Sequence, residues 1–266
     1  MKRVLTIAGS DCSGGAGIQA DLKTMLANGV YGMSVITSLT AQNTTGVRAV
    51  SNVDPEFLKD QIDSIFEDIV PDAVKTGMIP SKELVEATAE KLKQYNATKI
   101  VVDPVMVATS GADLSNEESV RALKEKLIPM ATLVTPNIPE AEVLSGMKIK
   151  TKEDMTEAAR KINRECGCDV LIKGGHGSNN ADDVLLHNGE IFIFEMPKID
   201  NPNTHGTGCT LSSAIASNLA KGMTVPQAVR RAKEYITGAI RDGLDLGKGR
   251  GPLDHGYDIK TAYKDT

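Results

Sequence analysis

Val4-Leu5-Thr6-Ile7-Ala8-Gly9-Ser10-Asp11-Cys12-Ser13-Gly14-Gly15-Ala16-Gly17-Ile18-Gln19-Ala20 is the stretch on which the fold turns. Residues 4–8 form a short apolar, β-branched run and read as a strand. Glycines then permit a tight turn, and residues 17–28 read as a helix with Gly29 just past its end. The alternation repeats along the chain. Strands are predicted at 33–40, 73–76, 99–102, 133–135 and 170–173. Helices are predicted from Asp54-Pro55 to about residue 69, at 81–94, and at 139–144 with Gly146 closing the last. Ser115-Asn116-Glu117-Glu118 and Thr151-Lys152-Glu153-Asp154 each start a further helix, the first running to Ile128. Near-continuous apolar strands between helices imply a parallel sheet covered on both faces. Around Asn188-Gly189, residues 184–194 predict a small β-hairpin. The remainder is helical, with Thr224-Val225-Pro226-Gln227 opening a long helix that stops at Gly243. With neither linker nor repeat, the expectation is α/β: one domain over residues 1–266 with a mostly parallel central sheet.

Composition narrows the function. The chain has 266 residues, a net charge of −5, no Trp, four Phe and five Tyr. Scarce aromatics exclude a base-stacking platform, and the lack of a Lys/Arg stripe argues against duplex binding. No nucleic-acid partner is expected. No apolar run reaches membrane-spanning length, and the start reads as a strand rather than a signal peptide. A cytoplasmic location is expected. Cys12, Cys166, Cys168 and Cys209 match neither a disulfide scaffold nor a zinc pair, so reduced thiols are expected.

In a doubly wound sheet ligands bind beyond the carboxyl ends of the strands. The unusual residues gather there: Gly9-Ser10-Asp11, Gln42-Asn43, Gly77-Met78, Asp103-Pro104-Val105-Met106, Asn137-Ile138-Pro139-Glu140 and Lys173-Gly174-Gly175-His176. His205-Gly206-Thr207-Gly208-Cys209-Thr210 opens a helix, whose unpaired N–H groups and positive dipole end suit an oxyanion. A thiolate at Cys209 should be favoured there. Three roles are open to that thiol: inert buried group, nucleophile paired with His205, or general base and positioning group, the last ranking first. Asp103 and Glu140 are candidate magnesium ligands, set against turn-capping and helix-dipole roles. Gln42 can donate and accept together, which suits an aminated heteroaromatic ring, with Met78, Val105 and Met106 as apolar walls. Gly15-Ala16-Gly17-Ile18-Gln19-Ala20 fits a dinucleotide pattern. The acidic residue that fold needs after the second strand is missing, because Gln42-Asn43 stands there. There is no Walker A sequence.

Together these motifs resemble the ribokinase-like superfamily, and within it the hydroxymethylpyrimidine and phosphomethylpyrimidine kinases of thiamine biosynthesis. Residues 13–23, Ala41-Gln42-Asn43-Thr44, Val74-Lys75-Thr76-Gly77-Met78, Thr135-Pro136-Asn137, Gly251-Pro252-Leu253-Asp254-His255 and the 205–210 loop carry the likeness. It implies a ribokinase-like fold, ATP and Mg²⁺ as cofactors, and a homodimer. It implies phosphorylation of the pyrimidine alcohol and then of its monophosphate. It assigns Gln42, Gly9, Asp11, Met78 and Val105 to the pyrimidine. Gly206, Thr207 and Gly208 fall to the anion hole and Cys209 to the place of a base. Asn137, Lys173, Gly174, Gly175 and Thr207 fall to the nucleotide, and Asp103 and Glu140 to the metal. Two positions depart from common family forms: Cys12 stands where Ser or Pro is frequent, and Thr109 where Lys is frequent, on a flap at 107–111. Pyridoxal kinase of the same superfamily is the competing reading. A non-catalytic vitamin sensor and a thiol enzyme acting through Cys209 are alternatives from other classes.

Overall fold

A computed structural model describes residues 1–106, 117–175, 182–196, 199–242 and 244–260. The flap with Thr109, the Ser115-Asn116 helix start, His176 and the stop at Gly243 lie outside the described residues. In chain order the elements are β1 (Arg3–Asp11), α1 (Gly17–Ala27), β2 (Tyr31–Asn43), β3 (Gly46–Asn52), α2 (Pro55–Phe66), β4 (Ala73–Thr76), α3 (Lys82–Gln94), β5 (Ile100–Val102) and α4 (Glu117–Ala122). They continue as β6 (Leu133–Val134), α5 (Ile138–Ser145), α6 (Lys152–Cys166), β7 (Asp169–Ile172), β8 (Asp183–His187), β9 (Glu190–Phe194), α7 (Thr207–Ala220) and α8 (Val225–Asp242).

The strands form one nine-stranded sheet in the order β3-β2-β1-β4-β5-β6-β7-β8-β9. β2, β1, β4, β5, β6 and β7 pair in parallel, while β3, β8 and β9 are antiparallel additions at the two edges. The chain moves outward from β1 to β2 and then returns to β4 on the other side of β1. That reversal opens a crevice beyond the ends of β1 and β4. Successive strand residues point to opposite faces, so each strand feeds two cores. Leu5, Val74 and Val102 meet Leu58, Leu84 and Ile162 from α2, α3 and α6. Val4, Ala73 and Val101 meet Met25, Ile215 and Val229 from α1, α7 and α8.

Local chemistry explains the helix ends. The Asp54 carboxylate accepts the Glu56 and Phe57 N–H groups, with Pro55 at the first helical position. Asn137 with Glu140, and Thr151 with Asp154, form reciprocal capping boxes. Gly146 and Gly167 end their helices at φ of 66° and 75°, a left-handed conformation that glycine adopts without a Cβ penalty. The segment after α4 departs from the expected plain helix. It passes through a π turn at Leu123–Leu127 and a 3-10 turn at Ile128–Met130, where Pro129 has no N–H to continue the ladder.

The sequence reading omits β3, and the structure supplies it. Its residues are mostly exposed, so no alternation marks it. It exists because β2 runs on to Asn43 and turns back through Thr44-Thr45, pairing Gln42 with Val47. Gln42 is therefore held inside a hairpin rather than at a loose strand end. No helix among the described residues is long and apolar enough to cross a membrane.

Candidate active site

The crevice is a cavity of about 990 Å³, within the usual range for small-molecule sites. Gly9, Asp11, Gln42, Met78, Val105, Asp103, Asn137, Glu140, Lys173, Gly175 and Gly206–Cys209 all line it. Six strand ends and the start of α7 thus bring together nearly every expected residue. Gly174 is the exception: its N–H is bonded to Asp183 Oδ1 at 3.0 Å, and its backbone packs against Asp182.

The start of α7 is shaped by glycine. Gly206 caps the helix at φ 85°, and a Cβ there would run into the carbonyl of Gly15. The Thr207 N–H and hydroxyl close back on Thr204 O, at 3.3 and 2.6 Å. The Gly208 and Cys209 N–H groups belong to the first turn, which cannot pair them within the helix. Thr210 Oγ1 donates to Gly206 O at 2.9 Å and accepts from His255 Nε2 at 3.0 Å, so the C-terminal segment braces this turn. Sequence reasoning assigned no role to His255. Burial pushes the Cys209 thiol up to about 11, with Lys75 and an N–H from Gly17 pulling the other way. Burial around the sulfur thus works against the thiolate preference expected at this helix start.

Carboxylates and ammonium groups alternate across the floor. Lys173 Nζ lies 2.8 Å from Asp103 Oδ1, and Ser212 Oγ lies 3.3 Å from Oδ2. Burial raises the Glu140 carboxyl to about 7, with Lys173 opposing and Asp103 adding to the rise. One Glu140 oxygen is spent on the Asn137 N–H, at 2.8 Å. No group of three or more His, Cys, Asp or Glu side chains among the described residues could cage a metal. Two oxygen donors fit Mg²⁺, which keeps waters and takes its other ligands from phosphates.

The cavity is also lined by residues that sequence reasoning missed: Met196, Ile199, Pro202, Ile236 and Ile240, with Lys233 and Thr237. The apolar ones come from α8 and from the segment after β9. Only tertiary packing brings these two stretches to one cavity.

A model of the phosphomethylpyrimidine kinase family matches residues 11–254. This chain belongs to the phosphomethylpyrimidine kinase family. The hydroxymethylpyrimidine/phosphomethylpyrimidine kinase of Streptomyces coelicolor is 49% identical over 96% of this chain and 94% of its own length. The thiamine biosynthesis bifunctional protein ThiED of Geobacter sulfurreducens is 53% identical over 95% of this chain, which spans about half (52%) of that relative. Among solved structures, an ADP complex of Bacillus subtilis pyridoxal kinase superposes with a TM-score of 0.89 at 42% identity, covering 97% of this chain and 98% of that one. Family membership makes the protein a kinase of ribokinase-like fold, and the expected α/β class with a mostly parallel central sheet stands.

Proposed function

We propose that the chain, acting as one kinase domain, phosphorylates the hydroxymethyl group of 4-amino-5-hydroxymethyl-2-methylpyrimidine and then the resulting monophosphate, in thiamine biosynthesis. The observation that carries this is the sharing of one cavity by the Gln42 amide and the first turn of α7. Gln42 binds the ring edge, and Gly9, Met78 and Val105 wall the ring. The Gly206, Gly208 and Cys209 N–H groups receive the migrating phosphoryl group, where charge develops in the transition state. The apolar lining at Ile199 and Ile236 takes the nucleotide base, and Asn137, Lys173, Gly175 and Thr207 approach its phosphates. Asp103 and Glu140 would hold Mg²⁺, which neutralises phosphate charge when bound.

Phosphoryl transfer passes through a loose transition state, so positioning outweighs deprotonation. A protonated Cys209 suits that requirement: the thiol orients the acceptor oxygen, a hydroxyl in the first transfer and a phosphate oxygen in the second. In the second transfer the acceptor phosphate is already ionised at neutral pH. Pyridoxine is a second acceptor, on the likeness to a pyridoxal kinase. A homodimer belongs to the same proposal. Strand β3, exposed along most of its length, supports it, and sedimentation tests it.

The deciding experiment measures ADP release with the pyrimidine alcohol, its monophosphate and pyridoxine side by side. The pyrimidine should give the highest kcat/KM. A preference for pyridoxine transfers the proposal to pyridoxal kinase, and binding without turnover leaves the sensor reading. A burst with a covalent adduct on Cys209 identifies a thiol enzyme.

A further inference from the structure

We infer that Asp11 and His205 fix the sense in which the Gln42 amide faces the cavity, and so select an acceptor ring bearing an amino group beside a ring nitrogen. The inference rests on the pyrimidine reading above and names residues that decide its specificity.

Asp11 ends β1 and is buried. Its Oδ1 accepts from the Ser13 N–H and hydroxyl at 2.9 and 2.7 Å. Its Oδ2 accepts from the Gly15 and Ala16 N–H groups at 3.2 and 2.9 Å, and lies 2.8 Å from His205 Nε2. Burial works to raise this carboxyl, but the bonds from His205 and Ser13 outweigh it and hold it at about 2. Asp11 is therefore an acceptor only, and His205 Nε2 must carry a hydrogen.

That hydrogen decides the amide. One terminal atom of the Gln42 amide lies 3.3 Å from His205 Nε2, and the other lies 3.4 Å from Thr40 Oγ1. With the amide nitrogen toward the imidazole, two N–H donors face each other. The carbonyl then meets a Thr40 oxygen whose only hydrogen is committed to Ser10 O at 2.7 Å. Turning the amide end for end removes both conflicts. The carbonyl then shares the Nε2–H with Asp11, and the amide N–H₂ donates to Thr40 Oγ1. Amide oxygen and nitrogen are assigned by such networks. The Gln42 backbone is itself held, because its N–H donates to Cys12 Sγ at 3.3 Å and its carbonyl accepts from Cys12 Sγ at 3.0 Å.

The oriented amide keeps one acceptor lone pair and one N–H for the substrate. An aminopyrimidine edge needs both, in one order: its amino group donates to the carbonyl and its ring nitrogen accepts from the N–H₂. The reversed order sets donor against donor and leaves polar groups unpaired, which discriminates strongly. A pyridine alcohol such as pyridoxine presents a hydroxyl that donates or accepts, so it is indifferent to the sense of the amide.

The test is the ratio of kcat/KM for the aminopyrimidine alcohol to that for pyridoxine. His205→Phe should lower this ratio tenfold or more, chiefly through KM for the pyrimidine. His205→Gln, which retains an N–H donor, should recover part of it. If His205→Phe does not fold, Asp11→Asn, which removes the charge that dictates the Nε2–H, should lower the ratio at least threefold. A wild-type preference that the folded variant leaves within twofold overturns the inference alone. A wild-type enzyme that phosphorylates neither alcohol overturns the kinase reading and the inference with it.

Discussion

Lys75→Met tests how this site is supported from beneath. Lys75 Nζ donates to both carboxylate oxygens of Asp21, at 3.0 and 2.8 Å, and both side chains are fully buried. Asp21 also accepts from Thr6 Oγ1 and Ser213 Oγ, each at 2.6 Å. Burial works to lower the Lys75 ammonium, yet the Asp21 carboxylate holds it above its usual range. Methionine fills the space and removes the cation, leaving a buried carboxylate with two hydroxyl donors. Breaking such a pair from one side costs about 3–5 kcal/mol, a large part of a total stability of about 5–15 kcal/mol. At about 2–4 °C per kcal/mol for a chain of this size, the midpoint should fall by about 10 °C. Lys75→Met with Asp21→Leu removes both charges and should recover most of the loss. Urea unfolding of the wild type, the single and the double variant measures this. A single variant within about 1 kcal/mol of the wild type would refute the reasoning, as would a double variant less stable than the single. The four partners join β1, α1, β4 and α7, so the folded fraction of Lys75→Met should also show a lower kcat.

Two further outcomes follow from the site. Burial, aided by the Lys23 cation, lowers the His255 imidazole to about 4. The unfolded chain, with an ordinary value of about 6.5, binds the proton first as pH falls, so stability should drop between about pH 6.5 and 4, by up to about 3 kcal/mol. Denaturation midpoints across that window should show a shallower slope in His255→Asn; an unchanged slope refutes the assignment. For Cys209→Ala, a protonated thiol implies that both transfers slow by similar factors, under about 100-fold. A loss confined to the first transfer and reaching about 10²–10⁴ identifies the sulfur as proton acceptor instead.

Much of the fold was legible because the signals are local. Asp54-Pro55, Thr151 to Asp154 and Asn188-Gly189 each satisfy or redirect backbone groups within a few residues, and each element starts where they place it; the Asn137–Glu140 capping box, which starts α5 one residue before the expected Pro139, went unread. β3 was not legible, because an exposed edge strand carries no alternation. The apolar cavity lining at Ile199 and Ile236 escaped for another reason: residues that read as ordinary core periodicity on α8 also line a cavity. The rim residues were found because glycines, amides and carboxylates at strand ends are unusual in themselves.

From sequence alone came the alternation of strands and helices, the glycine turn before α7 and the set of polar residues that the sheet gathers on one rim. Those follow from backbone geometry and periodicity, which act over a few residues. Tertiary structure decided the burial around Cys209, the neighbours of the Gln42 amide and the burial of Lys75 against Asp21. Each of those depends on what lies across the fold: desolvation and hydrogen-bond direction are set by neighbours up to 194 positions away, as Asp11 and His205 are.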